Sequence, residues 1–267
     1  MPNLQNSPSA DAKTTHLPPA GTLCGVPLHQ LDVVGLRNYF RNCLNGDTLR
    51  LVVTPNPEML LASRSDLQLR TALRTADLAL PDGFGLVAVG RLLHQQIRIR
   101  VAGVDAARLL LEEAAILGCS VYLLGGGDGV AATAAENLQT QIPGLQIAGV
   151  DGGGNIDDPE HPEPGILARI RSAHPGVLLV ALGHGKQERL LYAHRADLPG
   201  VRVAIGVGGA FDYWSGRIPR APRWLSDHGL EWLYRLWRQP SRFPRIIAAV
   251  CRFPYFALID AHDQRSH

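Results

Sequence analysis

The chain has 267 residues, 46% of them hydrophobic and 19% charged, enough apolar matter for a full core and too much for a disordered or fibrous protein. No stretch approaches the roughly 18 uninterrupted apolar residues that a spanning helix needs, which excludes an integral helical membrane protein. The net charge of +2 singles out no polyanionic partner. It hides an asymmetry, however: residues 217–252 carry eight Arg against Asp227 and Glu231, a balance of +6 that leaves −4 for the rest. Eleven of the sixteen aromatic residues, all four Trp among them, lie between Phe211 and Phe256.

Residues 1–20, rich in Pro, Ser, Ala and Thr, lack the continuous apolar segment of a signal peptide and read as a disordered leader. Cys24, Cys43, Cys119 and Cys251 show no metal-binding or disulfide spacing, which fits a reducing compartment. From Leu49 onward, apolar runs alternate with helix-period segments. The predicted strands are Leu49–Val53, Asp77–Leu80, Val121–Leu124, Gln146–Val150, Val177–Leu182 and Val201–Val207. Predicted helices include Val104–Leu117, Gly129–Gln141 and Gln187–Arg195. Strands without polar alternation are buried on both faces, and intervening helices supply right-handed crossovers, so the fold class is α/β with a layered, mostly parallel, Rossmann-like sheet. Residues 21–212 form this domain, and residues 213–267 are expected to form a helical appendage rich in Arg and Trp.

In such sheets ligands bind outside the carboxyl ends of the strands. Six strand ends carry small or polar residues: Thr54-Pro55-Asn56, Pro81-Asp82-Gly83, Gly125-Gly126-Gly127, Asp151-Gly152, Gly183–Glu188 and Gly206–Gly209. Strand, glycine turn and helix start at 121–130 would bring backbone N–H groups to a phosphate, and a second glycine turn at Gly206, Gly208 and Gly209 points to a nucleotide diphosphate. No G-x-x-x-x-G-K-[ST] occurs, so a P-loop nucleotidase is disfavoured, and no D-x-D offers a carboxylate pair for a metal. Asp82 can project into a cleft as a carboxylate, or serve as an Asx turn or as the cap of a helix beginning near Gly85. Thr54 and Asn56 can be turn residues imposed by Pro55 and Pro57, Arg100 a solvated cation, and His184 structural as readily as catalytic. The segment Leu230–Arg238 is amphipathic, Arg235, Arg238, Arg242 and Arg245 recur at spacings of 3, 4 and 3, and Pro240 and Pro244 should split the helix. Its Arg and Trp residues suit either a helix face packed on the domain or the surface of an anionic membrane. Nothing in the domain resembles a nucleic-acid fold.

Taken in order, Thr54–Glu58, Pro81–Gly83, Arg100-x-x-Gly103-x-Asp105, Leu123–Gly126, Gly183-x-x-Lys186-Gln187-Glu188, Gly206–Asp212 with Phe211, and Arg220-Ala221-Pro222 followed by Gly229–Arg235 resemble the WecG/TagA/CpsF glycosyltransferase family over about residues 24–252. The resemblance implies inverting, metal-independent transfer, without a cofactor, from a UDP-sugar donor to a polyprenyl-diphosphate-linked sugar acceptor. The enzyme would be cytoplasmic and bound peripherally to the inner face of the bacterial membrane. By the same resemblance, Asp82 matches the general base, and Thr54, Asn56, Arg100 and Gln187 match residues of the sugar pocket. Arg235, Arg238, Arg242 and Arg245 fall in the appendage that reaches the membrane and the lipid diphosphate. Gly185 stands where the family's turn has proline. The donor is a hexose or N-acetylhexosamine, with a lean toward the exopolysaccharide members, and a homo-oligomer is compatible with this reading.

Two rivals remain at this stage. A dinucleotide-dependent oxidoreductase fits the glycine turns, but Val130 stands where G-x-G-x-x-G needs its last Gly. A non-enzymatic membrane scaffold would use the appendage and leave six polar strand ends without a task.

Overall fold

A computed structural model of the chain describes residues 17–154, 156–219, 225 and 248–265. It opens with an antiparallel hairpin of β1 (Gly21–Leu23) and β2 (Val26–Leu28). Helix α1 (Val33–Asn45) follows, started by Asp32, whose side chain accepts from the Gly35 N–H at 2.7 Å. Its buried residues Leu36, Tyr39, Phe40, Cys43 and Leu44 recur at the three- and four-residue spacing of one helix face. Strand β3 (Arg50–Val53) leads through α2 (Pro57–Ala62) and α3 (Leu67–Arg74) to β4 (Leu78–Ala79), and α4 (Phe84–Leu92) and α5 (Gly103–Ile116) come next. Then follow β5 (Val121–Gly125), α6 (Val130–Gln141), β6 (Ile147–Asp151), α7 (Pro164–Ala173), β7 (Val177–Ala181), α8 (Lys186–Ala193), β8 (Val203–Gly206) and α9 (Ala210–Trp214).

All six strands expected from the apolar runs form, and they pair in parallel in the order β4-β3-β8-β7-β5-β6. Alternate residues of the central strands β5, β7 and β8 feed two cores. Val121, Leu123, Val177, Leu179, Val203 and Ile205 join α1, α5, α6 and α9 on one face. On the other, Tyr122, Leu124, Leu178, Val180 and Ala204 pack with Ile166 and Ile170 of α7 and Leu190 and Leu191 of α8. Three layers result, each side chain fully buried in them contributing about 1.5–3 kcal/mol. Because the strands are parallel, their carboxyl ends line one edge. The chain leaves β3 toward β4 on one side of the sheet and leaves β5 toward β6 on the other, the reversal that opens a crevice between the loops.

A third core lies under the hairpin, where Leu23, Val26 and Leu28 meet Met59 and Leu60 of α2, Leu86 and Val89 of α4, and Phe253. Phe253, fully buried, begins α10 (Phe253–Arg265), which packs on α2, α4 and β1. Arg64 pairs with Asp260 and lies over the Phe256 ring at 4.4 Å. The end of the C-terminal region is thus attached to the α/β body. The expected leader lies outside the described residues up to position 16, as do most of residues 220–247. Among the described residues no helix is long and apolar enough to cross a membrane.

Candidate active site

The carboxyl edge of β3 and β4 gathers four of the residues singled out in the sequence. The Asp82 N–H donates to the Pro55 carbonyl at 2.8 Å and the Val101 N–H to the Pro81 carbonyl at 3.0 Å, so the loops after the two strands are tied to each other and to the segment before α5. Asp82 Oδ2 accepts from the Gly103 N–H at 3.1 Å. Gly103 is the first residue of α5, whose N-cap, Ala102, has no side chain able to cap. Asp82 therefore caps a helix, but not the one expected near Gly85: α4 begins after Gly83 with no side-chain cap, and the carboxylate faces the positive end of α5 instead. Its other oxygen lies 3.5 Å from Arg100 Nε.

Arg100 is no solvated cation. Its side chain is only 16% exposed, and the guanidinium carbon sits 5.3 Å from the centre of the Phe84 ring. Thr54 is buried at the end of β3, where a Cβ on Gly103 would fall 2.7 Å from its Oγ1. Only glycine lets α5 approach that closely. Asn56 is the N-cap of α2, its Oδ1 accepting from the Met59 N–H at 2.9 Å, with Pro57 preset at the first helical position. The turn reading of Asn56 is realised without removing it from the edge.

At β7 and β8 the polar groups face inward. Gln187 and Glu188, in the first turn of α8, are 3% and 2% exposed. Glu188 Oε2 accepts from the Gly185 N–H at 2.7 Å, closing the turn that lacks proline, and its Oε1 accepts from Gln187 Nε2 at 2.7 Å. Gln187 Oε1 in turn accepts from the Gly208 N–H at 3.0 Å. Burial pushes the Glu188 carboxyl up to about 7 against the pull of these donors. The sequence singles out Gln187 as a site residue and not Glu188, whose carboxylate lies buried beside it. The signal was there, an acid three residues after a glycine at a helix start.

The glycine turns are tighter than the expected phosphate cradle. The Gly126 N–H donates to the Ala181 carbonyl at 2.9 Å and the Gly127 N–H to that of Gly152 at 3.3 Å. With Gly208 engaged by Gln187, three of the N–H groups expected to face a phosphate are held within the protein. Gly125 ends β5 and pairs with Ala181, Gly206 ends β8, and Gly209 is the N-cap of α9. What the β5 turn does aim at the crevice is the start of the twelve-residue α6, after Gly129. His184 Nε2 lies 3.6 Å from Glu58 Oε2, linking the β7 loop to α2. Arg235, Arg238, Arg242 and Arg245 lie outside the described residues.

A six-stranded parallel sheet with helices on both faces, and a carboxylate beside a shielded arginine at one carboxyl edge, is an α/β fold of the class that places ligands at its strand ends. The match is closer than that: residues 21–267 fit the model of the glycosyl transferase WecG/TagA/CpsF family, and the chain belongs to it. It is 32% identical over 228 residues to an N-acetylglucosaminyldiphosphoundecaprenol N-acetyl-beta-D-mannosaminyltransferase of Bacillus spizizenii, a match covering 83% of this chain and 86% of that protein. The protein of the same name from Bacillus subtilis is 31% identical over 216 residues, covering 81% and 80%.

Proposed function

We propose that the protein transfers a sugar, of the N-acetylhexosamine type, from a UDP-sugar to a polyprenyl-diphosphate-linked sugar with inversion at the anomeric carbon. The observation that carries this reading is Asp82, a carboxylate on the strand edge oriented from two sides by Arg100 and the start of α5. The activity in the names of the two relatives supports a polyprenyl-diphosphate-linked sugar as acceptor and moves the transferred sugar toward N-acetylmannosamine rather than a hexose of the exopolysaccharide members.

The acceptor hydroxyl attacks the anomeric carbon from the face opposite UDP, and Asp82 takes its proton, a step to which a positioned base typically contributes about 100- to 10,000-fold. Departing UDP gains negative charge. Backbone N–H groups and cationic side chains at the strand edge stabilise that charge close to the anomeric carbon, and the positive N-terminus of α6, farther along the edge, faces the nucleotide end. Asp82 and the β5 turn are four strand spacings apart, roughly 19 Å at about 4.8 Å each, a span suited to a nucleotide sugar laid across the strands. The basic segment with Arg235, Arg238, Arg242 and Arg245 binds an anionic membrane surface and brings the lipid acceptor to the edge, each Arg contributing about 1 kcal/mol.

The test is transfer from a panel of UDP-sugars to a short-chain polyprenyl-diphosphate N-acetylglucosamine. UDP-N-acetylmannosamine should be the best donor and yield a single inverted linkage. Tight NAD binding with no transfer from any UDP-sugar would overturn the reading.

A further inference from the structure

We infer that Glu188 is a positioning residue: it fixes which way the Gln187 carboxamide points and thereby holds the Gly208 turn at the donor end of the site.

A carboxamide has a donor end and an acceptor end of nearly equal shape, so its orientation is decided by its neighbours. Here both neighbours vote the same way. The Gly208 N–H needs an acceptor, and Gln187 Oε1 supplies it at 3.0 Å, while Glu188 Oε1 needs a donor, and Gln187 Nε2 supplies it at 2.7 Å. Reversing the amide would set N–H against N–H at one end and oxygen against oxygen at the other. Glu188 is anchored by the Gly185 N–H at 2.7 Å, so the relay runs from the loop after β7 to the loop after β8. It is dry, since Gln187 and Glu188 are almost fully buried. It also fits closely, because a Cβ on Gly206 would fall 2.5 Å from Gln187 Nε2. Glycine at that strand end lets the amide lie against the backbone of β8. Neither Gln187 nor Glu188 offers a polar atom at the surface, so this pair acts through the Gly208 turn and not by touching the reacting atoms.

The donor-end role rests on the glycosyltransferase reading; the relay itself does not. Hydrogen exchange at the Gly208 amide, measured at pH 8 where the Glu188 carboxyl is ionised and can only accept, tests the relay. In the wild type this amide should exchange at least about tenfold slower than in an unstructured chain, the equivalent of one buried hydrogen bond. Exchange at the unstructured rate overturns the proposal, whatever the variants do. Glu188→Gln offers an N–H to Gln187 and should reverse its amide, so Gly208 loses about tenfold of its protection. The reciprocal double variant, Gln187→Glu with Glu188→Gln, restores every donor–acceptor match with the same charge and should return exchange to within about threefold of wild type. Unchanged Gly208 exchange in Glu188→Gln, or a folded double variant that leaves it fast, overturns the relay. Kinetics of the single variant test its purpose: KM for the UDP-sugar should rise by about tenfold with kcat within about threefold. A KM left at the wild-type value when Gly208 protection is lost overturns the donor-end role. If the wild type itself transfers no sugar, the proposed function fails and the exchange measurements still decide the relay.

Discussion

The two ends of the strand edge handle polarity in opposite ways. At β3 and β4, Asp82 is 29% exposed and held by a cation and a helix start, so a charged group is presented to the crevice with its orientation fixed. At β7 and β8, a carboxyl and a carboxamide are sealed from water and spend their described hydrogen bonds on each other and on the neighbouring loops. The difference separates a group that can exchange a proton with a substrate from groups that can only hold backbone in place. It also means that removing a charge at one end should alter chemistry, and at the other should alter stability.

The largest expected effect follows from the exposed end. Asp82→Asn keeps an oxygen that can accept from Gly103, so the fold and the α5 cap survive while the proton acceptor is lost. Turnover should fall by roughly 100-fold or more with UDP affinity near that of the wild type. Steady-state kinetics with equilibrium UDP binding decide it, and turnover within about threefold would remove Asp82 from the mechanism.

The buried end yields a dependence of stability on pH. Burial raises the Glu188 carboxyl from its ordinary value near 4.5 to about 7, so between these values the folded state holds a proton that the unfolded chain has released. Stability is fully present below about 4.5, falls as pH rises toward 7 and is flat above, a loss on the order of 3 kcal/mol at most. Glu188→Gln cannot titrate and should lack this slope, whatever its absolute stability. Urea unfolding of both proteins at pH 5 and pH 8 provides the comparison. Parallel changes in the two would show that Glu188 does not titrate in that window.

A smaller effect tests the support of Asp82. Arg100→Lys keeps the charge but loses the planar group that sits over Phe84. Turnover should drop by roughly tenfold, since the carboxylate loses orientation and not its proton affinity outright. A loss as large as that of Asp82→Asn would make Arg100 a direct partner of the substrate.

The same contrast explains what the sequence disclosed. Five of the six sheet strands are legible because apolar runs such as Val177–Ala181 are buried on both faces, whereas β6, at the edge of the sheet, is half-exposed and its Val150 faces solvent. Helix α1 carries a regular apolar stripe that is a local signal, whereas the pairing of its Arg37 and Arg41 with Glu112 and Glu113, more than seventy residues away, depends on the packing of α1 on α5. Glu113, 1% exposed, is satisfied only by that pairing. The site divides similarly. Its strand-end positions could be read, and so could the cap at Asn56, which is local. Asp82 was legible as a capping residue but assigned to the wrong helix, since the one it caps starts twenty-one residues on. Gln187 was read as a pocket residue, whereas its acceptor role toward Gly208 depends on β7 and β8 being neighbours.

Removing divalent ions should leave transfer unchanged. Phosphates of a nucleotide sugar need positive charge, supplied either by a divalent ion on a carboxylate pair or by arginines and helix starts. The sequence has no D-x-D, and among the described residues no three His, Cys, Asp or Glu side chains converge on one point. The carboxylate at the edge is itself occupied: Asp82 faces Arg100 and α5, and recruiting it to a metal would break both contacts and remove the proposed base. Metal binding and base chemistry would compete for the same two oxygens. Transfer should therefore proceed in excess EDTA within about twofold of the untreated rate, a difference below about 0.5 kcal/mol in the barrier. Complete loss restored by magnesium or manganese would place a metal at the phosphates, and the contrast between the two ends of the edge would have to be redrawn around it.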